Sequence, residues 1–206
     1  MPLAARHQNE PASRIVLVRH GRSTHPVAGW HDSDSLHRWF AEYDAAGITP
    51  DDEPPASLRA LASSAGLIVA SDLRRAIESA RRIAPDAPIE TSALLRETPL
   101  RIPMLRVRLP ILGWALAVGV GSVVRRLRRA PHPADDVARS AAAAEWLGRL
   151  AERHGTVVAV THSLVRGHIA AALVASRWRL EPGAARRSHW STWSFTRSLD
   201  SSHTRR

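Results

Sequence analysis

Short apolar, β-branched runs alternate along the chain with longer stretches of helical period. Arg14–Val18 (RIVLV) reads as a buried strand that feeds the loop Arg19-His20-Gly21. Residues 22–55 mix Pro, Gly and Asp with Trp30, Trp39 and Phe40 in no steady period, which predicts an irregular segment with a short helix around Leu36–Tyr43. A helix over Ala56–Ala65 leads into Leu67–Ala70 (LIVA), a second buried-type strand. Ser71-Asp72 follows at once and is expected to cap a helix over Leu73–Ile83, which Pro85 ends. Ile89–Glu90 suggests a brief further strand. Asp135–Arg153 is an alanine-rich amphipathic stretch with acidic residues in its first turn, where they favour the helix dipole, and Gly155 stops it. Thr156–Val160 (TVVAV) is then a strand ending at Thr161-His162-Ser163, and Val165–Ala175 its following helix. Ser191–Thr196, with Trp193 and Phe195 alternating, is expected as a last edge strand.

Strand and helix in this alternation predict an α/β fold, a three-layer sandwich with a mainly parallel sheet and helices on both faces. No internal repeat is visible, and the length suits a single domain over 1–206. In such sheets the ligand lies beyond the carboxyl ends of the strands. Arg19-His20, the Ser71-to-Arg75 segment and His162 all fall at those ends.

One segment breaks the alternation. Leu109–Val124 holds sixteen consecutive uncharged residues, bracketed by Arg106 and Arg108 before it and Arg125, Arg126, Arg128 and Arg129 after it. It is shorter than the roughly twenty residues that span a bilayer, and it carries one proline and three glycines. A transmembrane helix is therefore not expected. The apolar, arginine-flanked insertion at about 99–133 has two open readings: a buried lid or core element, or an interfacial segment (109–129) resting on anionic membrane. Pro131 and Pro133 end it.

Composition narrows the chemistry. The chain has no cysteine, which excludes disulfides, thiolate metal sites and cysteine nucleophiles. Its formal charge is +10, yet all 29 basic residues are arginine, a usage expected of compositional bias. Positive charge attracts anionic substrates, lipid surfaces and nucleic acid alike. No zinc finger, basic zipper or aromatic-rich RNA-binding strand accompanies it, so no nucleic-acid partner is expected. The first fourteen residues contain no apolar signal core, which makes the cytoplasm the expected location, with peripheral membrane contact if 109–129 is interfacial.

A lone His beside an Arg is usually a satisfied polar pair. Two histidines and two arginines converging on one end of a parallel sheet are different, because clustered cations are costly unless an anion lies among them. A tetrahedral phosphate fits, since guanidinium forks match its oxygens and imidazole adds a donor. Paired histidines also bind metals, but the flanking arginines would repel a divalent cation and Asp72 alone could offset them, so no metal and no cofactor are expected.

Val18-Arg19-His20-Gly21 with Ser23, Ser71-Asp72-Leu73-Arg74-Arg75-Ala76 with Ser79-Ala80, Glu97, and Val160-Thr161-His162-Ser163 occur in that order. Together they resemble the histidine phosphatase superfamily, also called phosphoglycerate mutase-like, over residues 14–175. The resemblance implies a phosphatase that hydrolyses a phosphomonoester of a small molecule through a phosphohistidine on His20, without metal. It assigns the non-bridging oxygens to Arg19, Arg75 and His162, a further phosphate contact to Ser23, and proton transfer to Glu97. The chain departs from the family pattern at Arg22 and Pro26, where an acid and an asparagine are usual, at Ser163 instead of glycine, and in the Thr-Pro-Leu that follows Glu97. Arg22, Pro26 and the apolar segment keep open a catalytically weak phospho-ligand binding module, possibly at membranes, and the pocket chemistry also permits a phosphoprotein or phosphohistidine phosphatase. If the 99–133 insertion is a lid, Trp114 and its leucines suggest a substrate with an apolar portion.

Other residues have plainer readings. Arg74, Arg81 and Arg82 are expected on a solvated helix face, Trp146 with Leu150 in the core, and His189-Trp190 in a packed C-terminal edge instead of the pocket. Glu97 has the competing reading of a surface pair with Arg96 or Arg101.

Overall fold

A computed structural model describes residues 13–100, 102–104, 107–127, 134–183 and 187–197. Arg101, Arg106, Arg128, Arg129, Pro131, Pro133 and the terminal arginines lie outside the described residues. Strands β1 (Ser13–Arg19), β3 (Leu67–Ser71), β4 (Ile89–Ser92) and β6 (Thr156–Thr161) run parallel, in the spatial order β4-β3-β6-β1. The sheet continues with β8 (Thr192–Arg197) and β7 (Arg179–Leu180), both antiparallel to their neighbours. The strand expected at the sheet edge is therefore interior: β8 is hydrogen-bonded to β1 on one side and to the two-residue β7 on the other. Its flank is covered because Trp178-Arg179 returns from the end of the preceding helix, with Arg177 taking a left-handed turn at φ 64°.

The β1 sequence Ile15-Val16-Leu17-Val18 is apolar without alternation because both faces of the strand are covered. Ile15 and Leu17, with Val157 and Ala159 of β6, face a layer formed by α5 (Ala134–His154) and α6 (Ser163–Ala175). Val16 and Val18, with Val158 and Val160, face α2 (Ala56–Ser63) and α3 (Arg74–Ile83). The three-layer sandwich follows from that division. Each large aliphatic side chain so buried contributes about 1.5–3 kcal/mol.

Local structure departs from the sequence reading in three places. The helix in the irregular segment is longer, α1 (Ser33–Ala45), because Asp32 and Ser35 form a capping box that the period did not reveal. The helix after β3 is not capped by Ser71 or Asp72. Leu73 is its N-cap and offers no side-chain acceptor, while Asp72 takes both ends of the Arg96 guanidinium at 2.7 Å. Arg82 leaves the solvated face and donates to the carbonyls of Thr49 and Pro50, bracing the 49–52 loop.

In the insertion, β5 (Leu109–Pro110) pairs with β2 (Trp30–His31), and α4 (Ile111–Leu127) follows. Trp114 is buried and donates its indole N–H to the His31 carbonyl at 2.7 Å. Leu112, Leu116 and Val120, one turn apart, are exposed at 77%, 69% and 53%. No helix among the described residues is long and apolar enough to cross a membrane.

Candidate active site

The register of two neighbouring strands brings the two histidines together. Arg19 of β1 lies opposite Thr161 of β6, so His20 and His162, each the next residue, leave the sheet side by side. The His20 amide donates to the Thr161 carbonyl at 3.0 Å, and the ring centroids are 5.0 Å apart. Parallel strands are spaced by about 4.8 Å, so in-register residues past their ends meet without any special loop.

His20 is 2% exposed. Its Nδ1 is 2.6 Å from the Gly21 carbonyl, which can only accept, so Nδ1 carries the proton and Nε2 keeps its lone pair. Desolvation, reinforced by Arg75 and Arg19, holds this imidazole down at about 3 and keeps it neutral. His162 is fully buried and lowered well below the ordinary histidine value, by desolvation first and then by His20 and the arginines. Neither ring nitrogen of His162 has a hydrogen-bond partner among the described residues, nor does Nε of Arg19 or of Arg75. Buried polar atoms are rarely left so. Facing donors of positive potential, they suit an anion with several oxygens.

Both histidines must gain a proton in the unfolded chain when the pH falls below its ordinary value near 6.5, but they resist it in the folded one. The unfolded state then binds more protons, so stability falls as the pH falls. In phosphate-free buffer the melting temperature is expected to drop between about pH 7 and pH 5 and to recover when inorganic phosphate is added. A melting temperature that is flat across this window contradicts the assignment.

Arg75 sits in the first turn of α3 and is completely buried. It donates to the Tyr43 carbonyl at 2.9 Å and to Asp44 at 3.0 Å, with its guanidinium 4.4 Å above the Tyr43 ring. The negative end of α1 thus anchors this arginine. Trp39 stacks on Tyr43 and donates to the Pro26 carbonyl. The Pro26 carbonyl thereby ties the 22–31 loop to α1.

Ser79 joins α3 to the loop after β1. Its hydroxyl accepts from the Gly21 amide at 2.9 Å and donates to the Arg75 carbonyl at 2.6 Å. Gly21 has no room for a side chain, because a Cβ would collide with the Trp190 ring and crowd Asp52. Asp52 accepts from the Arg22 amide and, at 2.9 Å, from the Trp190 indole.

Glu97 is not a surface pair with Arg96, which Asp72 occupies. Its carboxylate lies at the start of α6 and accepts from the amides of Leu164 at 3.1 Å and Val165 at 2.9 Å. These contacts fix its orientation. Ser23 lies further along the loop. Its hydroxyl accepts from the His25 amide at 3.2 Å and its carbonyl from the Thr49 hydroxyl.

Two site residues were not legible as such in the sequence. Arg166 is a fully buried charge in an otherwise apolar helix, donating to the carbonyl and hydroxyl of Ser191 and lying 4.3 Å over Trp193. Burial, with Arg19 and Arg187 adding to it, lowers its pKa to about 10. An arginine on the buried stripe of α6 was the available signal. His189 is the second, its ring 5.8 Å from that of His20. The cavity beside α2, about 390 Å³ and lined by Pro55, Leu58, Leu61, Trp190 and Thr192, reaches His189 but neither His20 nor His162.

No family model and no curated protein matches the chain. Solved structures do. A phosphoserine phosphatase from Entamoeba histolytica, in complex with 3-phosphoglyceric acid, covers 90% of this chain and 98% of its own at TM-score 0.53 and 15% identity. A mycobacterial glucosyl-3-phosphoglycerate phosphatase complexed with VO3 covers 80% and 83% at TM-score 0.53 and 22% identity. A structure described as mycobacterial hydrolase 1 covers 90% and 91% at TM-score 0.50 and 19% identity. At these identities the likeness is one of fold.

Proposed function

We propose that this chain, built on the histidine phosphatase fold, is a phosphatase that hydrolyses a phosphomonoester through a phosphohistidine on His20. The observation that carries this reading is the pairing at the ends of β1 and β6: a neutral His20 with Nε2 free, beside a buried His162 whose ring nitrogens need a polar partner. In the first step Nε2 attacks phosphorus and the bond to the leaving oxygen breaks, with Glu97 giving that oxygen a proton. In the second, Glu97 takes a proton from water, the oxygen attacks phosphorus and the N–P bond breaks, releasing phosphate and neutral His20. Arg19, Arg75 and His162 hold the three non-bridging oxygens, where negative charge gathers in both steps. The Ser23 hydroxyl, which accepts from the His25 amide, keeps its own proton to donate to a phosphate oxygen.

A metal is not needed for these steps, and the cationic wall of Arg19, Arg75 and Arg166 disfavours a divalent ion. The direct test is turnover of an aryl phosphate in EDTA. Turnover that persists undiminished supports the reading, whereas none in EDTA with restoration by a divalent metal refutes it. The substrate class best supported is a phosphorylated small molecule. The similar solved structures carry the names of phosphoserine and glucosyl-3-phosphoglycerate phosphatases. An apolar substrate portion loses its support, because Trp114 is spent on the His31 carbonyl and Leu112 and Leu116 face outward.

A second reading concerns location. The outward Leu112, Leu116 and Val120 and exposed Trp30 across the β2–β5 ladder, in a segment whose sequence is flanked by arginines, have the chemistry of an interfacial helix on anionic lipid. Co-sedimentation with phosphatidylserine vesicles, lost in Leu112→Glu/Leu116→Glu and absent with neutral vesicles, is expected. Equal recovery in the supernatant with both vesicle types overturns it.

A further inference from the structure

We propose that His189, delivered by the segment just before the last strand, is a further wall of the phosphoryl pocket, donating a ring N–H to the anion held by His20. This deepens the phosphatase reading and rests on it for the identity of the anion.

The C-terminal segment is fastened around the nucleophile strand at several points. The Arg19 amide donates to the Ser191 carbonyl at 3.1 Å and the Trp190 amide to the Arg19 carbonyl at 3.0 Å, so β8 is paired with β1 up to the residue before His20. The Arg19 side chain donates to the Arg187 carbonyl. Ser191 is held by the buried Arg166. Trp190 packs on Gly21, reaches Asp52 through its indole N–H, and takes a left-handed φ of 59°. That conformation is unfavourable for a bulky residue and persists only where the surroundings over-determine it. Trp190 thus packs against Gly21, while His189, one residue earlier, stands beside His20.

There the His189 ring stands 5.8 Å from His20 and is tilted 49° to it, half-buried. His162 stands 5.0 Å from His20, tilted 58°. The nucleophile thus has an imidazole close by from β6 and another from the strap before β8. Burial, then Arg19, lower His189 from its ordinary value, with Asp52 opposing. A neutral imidazole still donates one N–H. Its half-buried place beside His20 leaves that N–H within reach of an anion bound there.

The experiment is calorimetric titration with inorganic phosphate and steady-state turnover of an aryl phosphate, on wild type, His189→Ala and His189→Gln. Loss of one hydrogen bond to a charged group weakens phosphate binding about tenfold or more in His189→Ala. Glutamine keeps a donor and restores binding to within about threefold, while the melting temperatures of all three agree. Unchanged phosphate affinity in His189→Ala overturns the proposal, and so does a loss in both variants accompanied by a lowered melting temperature, which marks a structural role. Phosphate binding with the expected variant pattern but no turnover in wild type leaves the His189 contact standing and removes the phosphatase reading instead. Absence of phosphate binding in wild type removes both.

Discussion

His20→Ala is expected to lower turnover of an aryl phosphate by about ten-thousand-fold or more, the usual effect of deleting a covalent nucleophile. The reason lies in the lone pair. With Nδ1 committed to the Gly21 carbonyl, Nε2 is the ring atom able to attack, and burial keeps it unprotonated over the whole working pH range. His162 does not substitute for it, because its ring is displaced by a full strand spacing and cannot reach the same phosphorus in line with the leaving oxygen. Phosphate binding survives the change, since Arg19, Arg75 and His162 remain. The variant is therefore expected to bind phosphate with nearly wild-type affinity, melt within a few degrees of wild type, and turn over essentially nothing. Substantial residual turnover removes His20 from the chemistry.

Glu97→Gln is expected to slow single-turnover cleavage of an alkyl phosphate by about a hundredfold to ten-thousandfold, the range of general acid catalysis, and that of nitrophenyl phosphate far less. A poor alkoxide leaving group needs the proton and nitrophenolate does not. Glutamine retains the size and one oxygen of glutamate, so the amides of Leu164 and Val165 keep an acceptor and the start of α6 is preserved. The second step also loses its base. A burst of nitrophenol followed by slow release of phosphate is the expected trace. Equal losses on the two esters in single turnover place the proton donor elsewhere.

The sheet was legible because Arg14–Val18, Leu67–Ala70 and Thr156–Val160 are apolar on both faces, a pattern that only a central strand tolerates. The two histidines could be placed from the same runs, since each is the first or second residue past a strand end. What stayed hidden depends on contacts between distant segments. Arg82 reads as solvated until the carbonyls of Thr49 and Pro50 fold onto it. Asp72 reads as a cap until Arg96 arrives from another turn. His189 lies more than 160 residues from His20 in sequence, and nothing local announces that Trp190 takes a left-handed turn beneath Gly21. β8 looked like an edge because its alternating Trp193 and Phe195 suggest one covered face. Its second neighbour, β7, is two residues long and invisible to any period.

The central claim is a covalent bond between phosphorus and one nitrogen. Glu97→Gln protein mixed with excess aryl phosphate, quenched in alkali within the burst and mapped by mass spectrometry, reads it directly. The expected result is close to one phosphoryl group per chain, on Nε2 of His20, stable in alkali, lost in acid, and absent from His20→Ala. A phosphoryl group on His162 or His189, or turnover with no labelled histidine, contradicts it.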